Sequence, residues 1–166
     1  MRITKRKTIR KIDFIVVAIT LLTIAVLIGY SRPLIISPTD NLLTTNTSIL
    51  FSFEKGDYII LDDNLEFSSP EKIYTHNDLV LNLKPGIYYW RIEGALQSKV
   101  RKLIIESRVE LKLIENDTKY DVVNFGNVPL NVSVYNKSVL VGNIVADVGE
   151  IVNVSGNEYI GRENEE

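Results

Sequence analysis

Residues 14–30 (FIVVAITLLTIAVLIGY) form an uncharged, almost wholly apolar run two residues after a segment with six basic residues and no acid, residues 1–11. That pair of features constrains the chain more than anything else in it. Counting residues 12 and 13, the run gives about 28 Å of helix, enough to cross a ~30 Å hydrocarbon core. Thr20 and Thr23 are its only polar interruptions after Asp13, and their hydroxyls can bond back to helix carbonyls. Asp13 is expected in the first helical turn, where the helix dipole favours an anion. Tyr30 suits the far interface and Pro33 ends the helix. The six cations (Arg2, Lys5, Arg6, Lys7, Arg10 and Lys11) place the N-terminus in the cytoplasm by the positive-inside rule. Everything beyond Tyr30 is then extracytoplasmic. A cleaved signal peptide is the main rival, but its apolar core is normally 7–15 residues and ends at a small-x-small site. Gly29-Tyr30-Ser31 fits such a site poorly. The expected organisation is a cytoplasmic basic segment (1–11), a transmembrane helix (12–30) and an ectodomain in the cell membrane's outer space.

Beyond Tyr30 the chain holds 13 Lys/Arg against 20 Asp/Glu, so the ectodomain is acidic and unsuited to nucleic acid. Cysteine is absent, which removes disulfides and thiol chemistry and tilts the reading toward a prokaryotic surface. From Pro33 onward, short alternating runs recur between turn residues, the pattern of an all-β fold. Strands are expected near 33–37, 48–54, 57–62, 71–75, 78–83, 86–93 and 99–107. Ile49, Phe51 and Phe53 alternate with Leu50, Ser52 and Glu54, and Leu79, Leu81 and Leu83 with Val80, Asn82 and Lys84. Seven short strands in about 75 residues suit a two-sheet sandwich.

The segment 83–92 (LKPGIYYWRI) resembles the fibronectin type III and related Ig-like families, which share an L-x-P-G turn followed by an aromatic strand. Ile36-Ser37-Pro38-Thr39-Asp40 is similar to their first strand. The resemblance covers residues 33–107 and implies that Tyr88 or Tyr89 makes a corner hydrogen bond to the preceding loop. Alternation favours Tyr88, Trp90 and Ile92 facing the core, since the other register would bury Arg91 and Glu93. Residues 108–166 read as a second, smaller β unit, with strands near 108–115, 119–125, 130–135, 139–145, 149–154 and 158–162. Its segment 120–130 (YDVVNFGNVPL) resembles the N-x-G-N-x-P stretch of Ig-like repeats in prokaryotic envelope proteins, and Asp147-Val148-Gly149-Glu150 resembles their later turn. The unit is short enough to lack a strand or to borrow an edge. Residues 99–115 contain neither Gly nor Pro, so one continuous strand is expected to join the units as a stiff rod.

Chemistry is poorly supplied. His76 is the single histidine and no cysteine exists to complete a triad or a zinc site. Asp62, Asp63, Asn64 and Glu66 offer oxygens for Ca²⁺ but lack the EF-hand spacing, and a solvated turn explains them as well. The expectation is a non-enzymatic chain with no cofactor and no metal. Asn46, Asn116, Asn131, Asn136 and Asn153 each begin an N-x-S/T triplet, all beyond the anchor, and are candidate glycosylation sites. The function expected is a membrane-anchored binding, adhesion or assembly module for a protein or glycan partner. A pilin-like filament subunit and an accessory subunit of a membrane complex are the alternatives. No feature of the sequence sets an oligomeric state.

Overall fold

The computed structural model describes residues 3–116 and 119–164, with side chains from residue 11 to 115 and from 121 to 164. Among the described residues, one N-terminal helix is followed by fourteen strands. The helix, α1, runs Ile3–Tyr30. It therefore extends nine residues N-terminal of the expected membrane-spanning segment, 12–30. Nothing in residues 3–11 breaks a helix, and Lys and Arg are good helix formers. Asp13 consequently lies well inside α1 and not in its first turn, so the dipole argument for it fails. The side chains of the basic cluster up to Arg10 lie outside the described residues.

Lys11–Tyr30 is long and apolar enough to cross a membrane, and none of it is buried against the β structure. Thr20 and Thr23 donate to the carbonyls of Val16 and Ile19, each at 2.9 Å, which hides both hydroxyls within the helix. Ser31 closes the last turn on the Leu27 carbonyl through its amide and its hydroxyl. Only residues 31–33 then separate α1 from the first strand. Lys55 spans that gap, its Nζ 3.1 Å from the Tyr30 carbonyl and 3.6 Å from the centre of the Tyr30 ring.

The next eight strands are β1 (Leu34–Ser37), β2 (Leu42–Thr44), β3 (Ser48–Glu54), β4 (Tyr58–Asp62), β5 (Glu71–Tyr74), β6 (Leu79–Asn82), β7 (Gly86–Glu93) and β8 (Arg101–Ile105). They form two sheets, in the orders β1-β3-β6 and β2-β8-β7-β4-β5. All pairings are antiparallel except β2 with β8. The short β2 was not expected. At three residues it has no alternation to read, and it exists because the β8 edge accepts it. Between the sheets lie Ile49 and Phe51, Ile59 and Leu61, Trp90 and Ile92, and Leu103 and Ile105: every second residue of four strands. Trp90 is fully buried and meets Phe51 edge to face, with ring centres 5.0 Å apart.

The last six strands are β9 (Leu111–Asn116), β10 (Lys119–Asn124), β11 (Leu130–Asn136), β12 (Val139–Ala146), β13 (Ile151–Asn153) and β14 (Glu158–Glu163). They too form two sheets, β13-β10-β9 and β12-β11-β14, around Val122, Val128, Leu130, Val132 and Ala146. No edge is borrowed among the described residues, since each of these ladders joins strands of the second group only. A single strand over residues 99–115 is not what forms. β8 stops at Ile105, β9 starts at Leu111, and residues 106–110 lie outside any strand. Gly and Pro are not needed for this break, because side chains of the next turn take over the backbone groups, as described below.

Trp90 gives this core its largest buried side chain, and its Nε1 has no hydrogen-bond partner. Trp90→Ala should cost about 3–5 kcal/mol, and Trp90→Phe, which keeps a ring against Phe51 and removes the orphan N–H, should cost clearly less. Thermal unfolding of the detergent-solubilised full-length protein tests this. An Ala variant that melts within a few degrees of the parent would contradict the core as described.

Candidate functional site

Residues 124–129 (NFGNVP) build the joint between the two sheet pairs. Asn124 is fully buried, and its Nδ2 donates to the Val128 and Ala146 carbonyls at 2.9 Å each. Its Oδ1 accepts the Gly126 amide at 2.9 Å, so every polar atom of the side chain is used. The same residue's carbonyl accepts the Gly149 amide at 2.9 Å, which ties in the 147–150 turn. Position 126 must be glycine because a Cβ there would overlap the Arg108 carbonyl. Asn127 then reaches out of the turn. Its Nδ2 donates to the Thr45 carbonyl at 2.7 Å and the Glu106 carbonyl at 2.9 Å, and its Oδ1 accepts the Arg108 amide at 2.6 Å. The Asn127 amide donates to the Arg108 carbonyl at 3.0 Å, Arg108 Nη2 to the Phe125 carbonyl at 2.8 Å, and the Glu106 amide to the Thr44 carbonyl at 2.8 Å. One amide side chain thus grips the first group of strands, the connector and the second group together.

Two hollows flank this joint. A polar groove of about 560 Å³ opens between the groups, with Thr45, Asn46, Lys84, Arg108 and Asn127 on its walls. The second hollow, about 390 Å³, is apolar and lies on the outer face of the β13-β10-β9 sheet, between Ile114, Val123, Phe125, Val148 and Ile151. Alternation puts Val122 inward and Val123 outward on β10, yet both are buried. Val123 is covered by its neighbours on a face that should be solvated, while Ile114, Phe125, Val148 and Ile151 around it stay exposed. Lys112 caps one side, its Nζ 4.1 Å from the Phe125 ring centre.

Of the sequence-predicted residues, Asn46 lines the polar groove and the others described fall elsewhere. Tyr88 Oη donates to the Lys84 carbonyl at 2.9 Å, and burial, with the Asp63 charge, raises its pKa. Tyr89 is half-buried on the other face, opposite Asp62 and Lys102. Trp90 points into the core. Asn46, Asn131, Asn136 and Asn153 are all exposed and are not gathered at one place, while the side chain of Asn116 lies outside the described residues. His76 stands between Tyr74 and Asp57, with Nε2 on the tyrosine hydroxyl and Nδ1 3.5 Å from the carboxylate. All three are exposed or nearly so.

The Asp62 loop closes on itself. Asp62 Oδ1 accepts the amide and the Nδ2 of Asn64, at 3.3 and 3.0 Å, and Oδ2 accepts the Ser69 amide at 3.0 Å. Asn64 Oδ1 takes the amides of Glu66 and Ser68. Both carboxylate oxygens of Asp62 and the side-chain carbonyl of Asn64 are therefore engaged within the loop, and the described residues hold no group of three or more metal-ligating side chains of the His, Cys, Asp and Glu kind. Burial raises the Asp62 pKa, but the Ser69 and Asn64 amides and the bond with Asp63 outweigh it and hold the carboxyl below its ordinary range. No protein-family model matches the chain, and comparison with curated proteins and with solved structures likewise returns no match.

Two outcomes follow from this geometry. Asn127→Ala should leave both cores folded but release residues 106–110, so that trypsin cuts after Arg108 several times faster than in the parent. An unchanged cleavage rate would remove Asn127 from its clamping role. A depressed carboxylate stabilises the fold fully above its unfolded pKa, near ~3.9, and that stability is lost as pH falls through the lower folded value. Melting temperature should therefore drop below about pH 4, and Asp62→Asn should melt lower at pH 7 with a flatter acid limb. An acid limb identical in the two proteins would show that Asp62 does not carry it.

Proposed function

We propose that this chain is a membrane-anchored, extracytoplasmic binding and assembly module without catalytic activity, and that its apolar hollow is the surface offered to a protein partner. The observation that carries the proposal is the apolar outer face of the β13-β10-β9 sheet. An outer sheet face with Ile114, Phe125, Val148 and Ile151 left in water costs solubility unless something covers it. An aromatic side chain in an apolar surround poor in charge, as Phe125 has here, is what protein interfaces use at their centre.

The anchor half of the reading rests on α1. Twenty residues of which none is buried, including Phe14 at 75% exposure, need lipid to lie in. The six N-terminal cations support a cytoplasmic N-terminus and an outside location for the strands. Supporting a fibronectin III or Ig-like sandwich over residues 33–107 are the strand orders β1-β3-β6 and β8-β7-β4-β5, with Tyr88 bonded back to Lys84 before the aromatic strand. The exposed sequons suit glycosylation in that location, and the polar groove with Asn46, Lys84 and Arg108 suits a glycan better than an apolar ligand. The uninterrupted 28-residue helix favours the pilin-like alternative on length alone.

Full-length protein recovered from carbonate-washed membranes should retain Met1 by mass spectrometry and bring down one partner at near-equal stoichiometry. Ile151→Glu, at an exposed position, should lose that partner and keep the parent's melting curve. A mature N-terminus near Ser31 refutes the anchor, and a partner indifferent to Ile151→Glu refutes the surface.

A further inference from the structure

Among the described residues the four sheets present eight free edges, and seven of them are protected in the ordinary ways. β2 and β13 have three residues each, and β1, β5 and β6 have four. β5 also carries Glu71 and Lys72, β9 carries Lys112 and Glu115, and β14 carries Glu158, Arg162 and Glu163. Shortness and charge are the devices that stop a sheet edge from pairing with another chain. β12 (Val139–Ala146, VLVGNIVA) has neither. It is eight residues long, uncharged, free of proline and rich in branched aliphatics, and Val139, Leu140, Val141 and Val145 are all at least half exposed. Its single irregularity is a bulge where Val134 pairs with Gly142 and Tyr135 with Leu140.

We infer that β12 is a homotypic docking edge, pairing antiparallel with β12 of a second copy so that the β12-β11-β14 sheet continues across two molecules. The charges at its ends select that occupant. Lys137 stands in the two-residue turn before β12, held there with positive φ, and Asp147 follows the strand directly. Neither has an ion partner among the described residues. Antiparallel self-pairing brings each end of one strand to the opposite end of the other. With Gly142 on the two-fold axis, Lys137 of each copy lies opposite Asp147 of the other, and Val139 opposite Val145. Neutral in its middle and oppositely charged at its ends, the edge is complementary to itself. Gly142, at the centre, has open space where a Cβ would stand.

A strand of this length spans about 26 Å, and one edge-to-edge ladder falls short of the ~1,000 Å² that stable soluble complexes bury. The pairing is therefore weak in dilute solution and gains from confinement in a membrane, where local concentration is high. It uses the sheet opposite the apolar hollow, so either surface can fail without the other.

The chain has no cysteine, so single replacements report cleanly. In membranes holding the full-length protein, Gly142→Cys should give a disulfide-linked species at twice 18.8 kDa under mild oxidation. Glu158→Cys, on the charged edge of the same sheet, should not. Mixed Val139→Cys and Val145→Cys chains should cross-link to each other several-fold more than either does to itself. Adding Val141→Lys to Gly142→Cys should abolish the dimer with the melting curve unchanged. Absence of the Gly142→Cys dimer, or equal yield from Glu158→Cys, overturns the inference. So does a benzophenone, attached to the thiol of the Gly142→Cys variant, that captures a species at any mass other than twice the chain's, since another protein then occupies the edge.

Discussion

The arrangement depends on one amide. Asn127 holds carbonyls from Thr45 and Glu106 and the amide of Arg108, so three segments far apart in sequence meet at one side chain. Without it the five residues between β8 and β9 would be an ordinary tether, and two separately cored groups of strands would hang on a hinge. Asn124 anchors the turn from inside, and Gly126 lets the backbone pass close to Arg108. Buried or half-buried polar networks of this kind hold only when every member is satisfied, and this one is. The polar groove at the joint and the apolar hollow beyond it both take their shape from the same six residues.

Much of the architecture was legible because strand alternation is a local property. Ile49, Phe51 and Phe53, or Leu79 and Leu81, declare their inward face from spacing alone, and the positions of most strands follow. Other features depend on partners that spacing does not record. β2 is held by β8 and has no pattern of its own. The helix runs back to Ile3 because basic residues do not oppose helix, although a hydropathy reading stops at the first charges. The expected strand over residues 99–115 failed for an instructive reason. Absence of Gly and Pro shows that a strand is permitted, whereas the break at 106–110 is imposed from outside by Asn127 and Thr44. The N-x-G-N-x-P motif was visible, but the role of its second asparagine emerges only when the turn is set against the connector.

The candidate surfaces were the least legible part. Val123 and Ile151 look like any core valine and isoleucine in the sequence; only the sheet order shows that they lie on an outward face. The charged residues of β9 and β14 likewise acquire meaning as edge protection once the ladders are known, and the lack of any charge in β12 becomes informative by contrast. The sequons and the Asp62 loop were conspicuous as patterns, yet the first are dispersed and in the second both oxygens of Asp62 bond within the loop.

The contact between Lys55 and Tyr30 has a mechanical corollary. With three residues between α1 and β1, and a side chain bridging them, the helix and the strands resist turning about one another, like a key seated in a shaft. A rotation of the helix about its long axis is then carried into the strands as a change of heading. On the proposed anchoring, whatever packs against one side of α1 decides which way the hollow and the bare edge of β12 look.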